Sequence, residues 1–226
     1  MTSKRKKTMR PFVIRDCALS AIAIGVRAQN LRELRDLLRD IHPDAIYYHF
    51  WGGLLRPRID DPEYNNDFAA WAAHGLHDER LAERLAIIDP TDYDDLENLR
   101  SDILDVVEER LDESEYVPWS SVDNQFAFIR SQIVVFNTHR RLHHPEELVE
   151  AIPHISLGSI FFHVIDARRR TPDGVDDFHG WLRDLGDAYS PLCNELTGVD
   201  PYFTTLADLR RHLSGIFRKH LGGEKA

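Results

Sequence analysis

The sequence predicts an all-α protein, a tandem duplication of a five- or six-helix module about a pseudo-two-fold axis. First, the chain repeats itself. Ala45-Ile46-Tyr47-Tyr48-His49 returns as Ser159-Ile160-Phe161-Phe162-His163, and Asp67-Phe68-Ala69-Ala70-Trp71 returns as Asp177-Phe178-His179-Gly180-Trp181. Second, the spacing is kept: Phe68 lies 31 residues before Leu99, and Phe178 lies 31 before Leu209. Third, apolar residues recur at three- and four-residue steps through most of the chain, as one face of a helix requires, and no segment reads as a convincing strand. The expected copies are residues 12–111 and 126–221, overlaying helix for helix. A disordered basic tail at 1–11, a linker at 112–125 and a short tail at 222–226 complete the plan.

Taken in order, Phe12 to Ala28 is apolar and Ala-rich and is read as the first helix. Asn30 caps a helix from Leu31 to Ile41, with Leu31, Leu34, Leu37 and Leu38 on one face. Pro43 opens the helix that carries Ile46, Tyr47, His49 and Phe50. Pro57 to Pro62 reads as a loop. Asn66 or Asp67 caps a helix bearing Phe68, Trp71 and Ala72, and the helix of Leu81, Leu85 and Ile88 ends at Asp89-Pro90. Leu96 to Leu111 is a long amphipathic helix with an acidic outer face. The second copy follows the same order: Phe126 to Leu142, a helix opened by Pro145, one starting at Ser159, one capped by Asp177, and Leu206 to Leu221. Ile133-Val134-Val135-Phe136 is β-branched, but it aligns with Leu19-Ser20-Ala21-Ile22 in an Ala-rich stretch and is read as a buried helical segment. Trp71 and Trp181, each four residues after an aspartate, are expected to anchor the two cores.

The net charge of −10 disfavours nucleic acid and anionic membranes as partners. The basic block Lys4-Arg5-Lys6-Lys7 has no apolar stretch behind it and is not a secretory signal. No apolar run reaches the roughly 20 residues of a membrane span. Cys17 and Cys193 do not align between the copies, which reads as two reduced cysteines in a cytoplasmic protein.

Candidate functional residues are those retained at equivalent positions. His49 and His163 follow an aromatic pair on an apolar helix face, as a general base, a ligand-binding imidazole or a hydrogen-bonded core histidine would. Asp67 and Asp177 read first as helix N-caps; the alternative pairs each with the histidine of its own copy. Arg27 aligns with Arg141 and Arg100 with Arg210, for a buried carboxylate network or an anionic ligand. His139-Arg140-Arg141-Leu142-His143-His144 is a dense cationic cluster. His74 and His77, with Asp184 and Asp187 opposite them, lack a retained third ligand, so no metal site is expected. Gly52-Gly53 lacks the features of a phosphate loop, and no cofactor is expected.

The segments Ile46-Tyr47-Tyr48-His49-Phe50, Asn65-Asn66-Asp67-Phe68-Ala69-Ala70-Trp71, Leu81-Ala82-Glu83-Arg84-Leu85-Ala86, Ile88-Asp89-Pro90 and Leu96-Glu97-Asn98-Leu99-Arg100 resemble an uncharacterised prokaryotic family of helical proteins. The second copy departs from it, with Val175-Asp176 in place of Asn65-Asn66. The resemblance implies a soluble intracellular protein and carries no activity, cofactor or catalytic residue. The expected role is therefore a non-enzymatic binding or regulatory module, with a protein or a small anionic ligand as its partner. The alternative is an enzyme or small-molecule sensor that uses His49 or His163 with arginines on an anionic ligand.

Overall fold

A computed structural model describes residues 10–56, 63–113 and 124–223. The expected loop at 57–62, most of the basic tail and most of the linker lie outside the described residues.

The all-α expectation does not hold. The chain is mixed: β1 (Phe12–Ala28) and β2 (Phe126–Leu142) form a two-stranded antiparallel ribbon. The first element of each supposed copy is thus a strand, and no helix-for-helix overlay exists there. The physical reason lies in the side chains. Phe12 and Ile14 are buried with exposed or half-exposed neighbours, as are Phe126 and Phe128, which is the period of a strand and not of a helix. Val13, Ile14, Ile22, Ile24 and Val26 are β-branched and suit a pleated surface better than a helix. The Ile133-to-Phe136 segment is not a buried helix: Val134 is 42% and Phe136 is 49% exposed. Both strands carry a left-handed residue at matching places, Gly25 (φ 76°) and His139 (φ 59°). Such a residue bends a ribbon, and glycine bears it at no steric cost.

The helices form where the sequence caps them. Helix α1 (Leu31–Asp40) starts at Asn30, whose Oδ1 accepts the Glu33 amide at 2.9 Å. Pro43 opens α2 (Pro43–Trp51), and Asn66 caps α3 (Asp67–His74) through the Ala69 amide. Asp78 caps α4 (Glu79–Ala86), and Asp95 caps α5 (Leu96–Asp112). After β2 come short helices α6 (Leu148–Ala151), α7 (Leu157–Ile160) and α8 (Ala167–Arg170). A π-helical stretch, Phe161–Asp166, joins α7 to α8. Asp176, not Asp177, caps α9 (Asp177–Leu185), and α10 (Ser190–Thr197) and α11 (Leu206–Leu221) complete the order.

The chain divides into two compact units, one of residues 19–134 and the other of residues 1–18 with 135–226. In the contiguous unit, α3 packs on α4 and α1, α2 and α4 pack on α5, around Leu34, Phe50, Phe68, Leu99 and Ile103. Trp71 is buried there, and its indole donates to the Asn124 carbonyl at 2.8 Å. In the discontinuous unit, α6, α7 and α10 pack on α11 around Leu148, Phe161, Phe178 and Phe217. Trp181 is only half-buried in it, and donates to the Arg10 carbonyl at 3.0 Å.

Candidate functional site

Each unit holds a histidine buried on both sides of its ring. His49 sits on α2, where the neighbouring apolar residues are drawn into the core, and only 2% of its side chain is exposed. Its Nε2 accepts the backbone N–H of Ile129 in β2 at 3.1 Å. A backbone amide can only donate, so the ring proton resides on Nδ1. Nδ1 therefore donates to Asp67 Oδ2, 2.8 Å away. Phe126 of the same strand lies 4.7 Å from the imidazole and stacks on Phe68 at 5.0 Å. His163, in the π-helical stretch, repeats every feature. Its Nε2 accepts the Arg15 amide of β1 at 2.9 Å, and its Nδ1 faces Asp177 Oδ2 at 2.8 Å. Phe12 lies 4.9 Å from that ring and stacks on Phe178 at 5.0 Å.

Of the eight residues singled out in the sequence, the fold brings together His49 with Asp67 and His163 with Asp177. Neither aspartate is the N-cap; Asn66 and Asp176 take that place, which frees Asp67 and Asp177 to face the imidazoles. The arginines lie elsewhere. Arg100 is buried and donates to the carbonyls of Leu38 and Ile41 at the end of α1. Arg210 donates to the Ile155 carbonyl at 2.8 Å. Both satisfy backbone acceptors that a helix or turn leaves open. Arg27 and Arg141 are exposed on the two strands.

Two arginines that sequence reasoning passed over complete the dyads. Arg170 lies over the Phe162 ring at 4.0 Å and donates to Asp166 Oδ2, the Phe162 carbonyl and Asp177 Oδ2. Arg56 lies over the Tyr48 ring at 4.9 Å, donates to the Tyr48 hydroxyl, and comes within 4.0 Å of Asp67. Each follows its histidine by seven residues, and that shared spacing was the signal available in the sequence.

Burial holds the His49 imidazole below its ordinary value of 6.5, against the opposing pull of Asp67. The ring is thus neutral, with one nitrogen donating and the other accepting. Nothing remains to take a substrate proton. Cys17 is buried beside the start of α7. Burial, with Asp166 and Asp16 nearby, pushes its thiol up to about 12, and Sγ faces the Gly158 carbonyl at 3.3 Å. Burial also raises Cys193. Among the described residues no three His, Cys, Asp or Glu side chains gather in a way that could hold a metal ion. Nor is any described helix long and apolar enough to cross a membrane.

The fold is shared with OrfY from Thermoproteus tenax. The two structures agree at a TM-score of 0.82 with 23% sequence identity, over 96% of this chain and 98% of that one. No curated protein matches the sequence. Residues 9–218 match a family described as one of unknown function, and over that span the chain belongs to the DUF5752 family.

Proposed function

We propose that this protein is a non-enzymatic binding or regulatory module whose two His–Asp dyads fasten strands to helices. The observation that carries this reading is that both nitrogens of each imidazole are engaged, Nδ1 with a carboxylate and Nε2 with a strand amide. A general base needs an open nitrogen facing a cleft; a fastener needs both closed. The test is to replace each histidine by Ala and follow thermal unfolding. Variants that melt with wild type would overturn the reading and return His49 and His163 to the enzyme alternative.

The module is built, in our reading, by tandem duplication of residues 12–111 into 126–221. The support is the offset of 114 residues that relates His49 to His163, Arg56 to Arg170 and Gly25 to His139. A second offset of 110 relates Asp67 to Asp177, Trp71 to Trp181 and Arg100 to Arg210. The free, buried Cys17 and Cys193 support a reducing, cytoplasmic setting.

A further inference from the structure

The arginines beside the two dyads are not served alike. In the discontinuous unit Arg170 finds all its partners in its own unit. Its Nε donates to Asp166 Oδ2 at 2.6 Å, and its Nη2 donates to Asp177 Oδ2 at 3.1 Å and to the Phe162 carbonyl at 2.9 Å. One guanidinium there answers two carboxylates. The offset of 114 residues that relates Arg56 to Arg170 also relates Gly52 to Asp166 and Tyr48 to Phe162. In the contiguous unit Arg56 therefore has Asp67, at 4.0 Å, and a glycine where the second carboxylate would stand. Nor can that glycine simply be an aspartate. A Cβ on Gly52 would lie 2.8 Å from Tyr48 Cδ2, so a side chain there collides with the ring.

What the contiguous unit has in exchange is a hydroxyl. Arg56 Nη2 donates to the Tyr48 hydroxyl oxygen, and the guanidinium lies over the Tyr48 ring. A phenol that accepts a hydrogen bond still has its own proton to give. Tyr48 is only 4% exposed, yet among the described residues no acceptor faces that proton, and none faces Arg56 Nε. The Arg56 side chain is 46% exposed, so these unspent donors stand side by side at the surface. The copy that lacks the acid is thus the copy that carries the extra donor. We propose that Arg56 and Tyr48 bind the carboxylate of a small organic acid, which completes the guanidinium as Asp166 completes Arg170. The planar fork of a guanidinium grips a carboxylate two bonds at a time, and the phenol adds a third. Asp67 does not forbid a second negative charge. Its Oδ2 already accepts the His49 Nδ1–H, and Arg170 supports two carboxylates in the same setting. This names a ligand for the binding module proposed above and rests on that reading.

The test is an NMR titration of the isotope-labelled full chain with sodium succinate, at an ionic strength held constant with sodium chloride. The Arg56 Nε–H signal should move and saturate. The Arg170 Nε–H signal should stay still, because Asp166 already fills its place. Y48F removes one donor and should weaken binding at least about threefold. R56K keeps the charge but not the fork, and should weaken it at least about fivefold, read at the Gly53 amide. Melting of both variants close to wild type shows that the fold is kept. A shift of Arg56 that never saturates overturns the proposal. So does an equal response of Arg170, or Y48F that binds as wild type does. Tighter binding of inorganic phosphate than of succinate at Arg56 overturns the carboxylate class. The histidine variants read stability and this titration reads a ligand, so either reading can fail while the other stands.

Discussion

His49 and His163 each accept a part-buried strand amide that would otherwise lose its acceptor. Removing either ring leaves that N–H unpaired and opens a cavity among phenylalanines. His49→Ala and His163→Ala are each expected to destabilise by about 1–3 kcal/mol from the unpaired group, before any cavity term is added. Chemical denaturation reads this directly. The His49 ring also sets a pH dependence. Its folded value lies below 6.5, so between 6.5 and that lower value the unfolded chain binds a proton that the folded chain refuses. This contribution is fully present above 6.5 and shrinks as pH falls, at no more than about 1.4 kcal/mol per unit. A stability profile of His49→Ala that falls below pH 6.5 as steeply as wild type's would contradict it. The two tryptophans, alike in sequence, part company in burial. Trp71→Ala should cost roughly 3–5 kcal/mol, and Trp181→Ala clearly less, as their melting temperatures would show.

At the scale of an element, the ribbon depends on small residues where it touches or turns. A Cβ on Gly158 would lie 2.3 Å from both Asp16 Oδ1 and the Cys17 carbonyl. That glycine lets β1 lie against the start of α7. Gly158→Ala should push them apart at a cost of about 1–3 kcal/mol, read as a lowered denaturation midpoint with an unchanged slope. Gly25 meets no neighbour, but its φ of 76° burdens any other residue, so Gly25→Ala should cost about 1–2 kcal/mol in the same assay. The helices capped by Asn30 and Asn66 were legible in the sequence because those residues announce themselves locally, whereas the caps Asp78 and Asp95 were not singled out there. The strands were not. Ala18, Ala21 and Ala23 favour a helix by propensity, and the pairing that overrides them lies more than a hundred residues away. The histidines and aspartates could be picked out as retained pairs, yet their assignment to caps failed because Asn66 and Asp176 stand one residue earlier and cap as well or better. Arg56 escaped notice because it stands among the loop residues after α2, outside the matched motifs.

At the scale of the whole molecule, compactness does not follow chain order. Residues 1–18 belong with 135–226, and the segment around Phe12 fills the space among His163, Phe178 and Trp181. A fragment of residues 135–226 should therefore melt poorly and bind a hydrophobic dye. A peptide of residues 10–18 supplied in trans should raise its melting temperature, whereas the same peptide with Phe12→Ala should not. A fragment that melts sharply without the peptide would refute this. The same discontinuity bears on how the protein is made. The stretch 19–134 leaves the ribosome as one run with all of its own partners, but Arg15 must wait for His163, 148 residues later. At about 5–20 residues per second that is a delay of roughly 7–30 s. Until then Phe12 and Ile14 lack the partners that bury them, and slowing translation should lengthen that interval without touching the stability of the finished molecule.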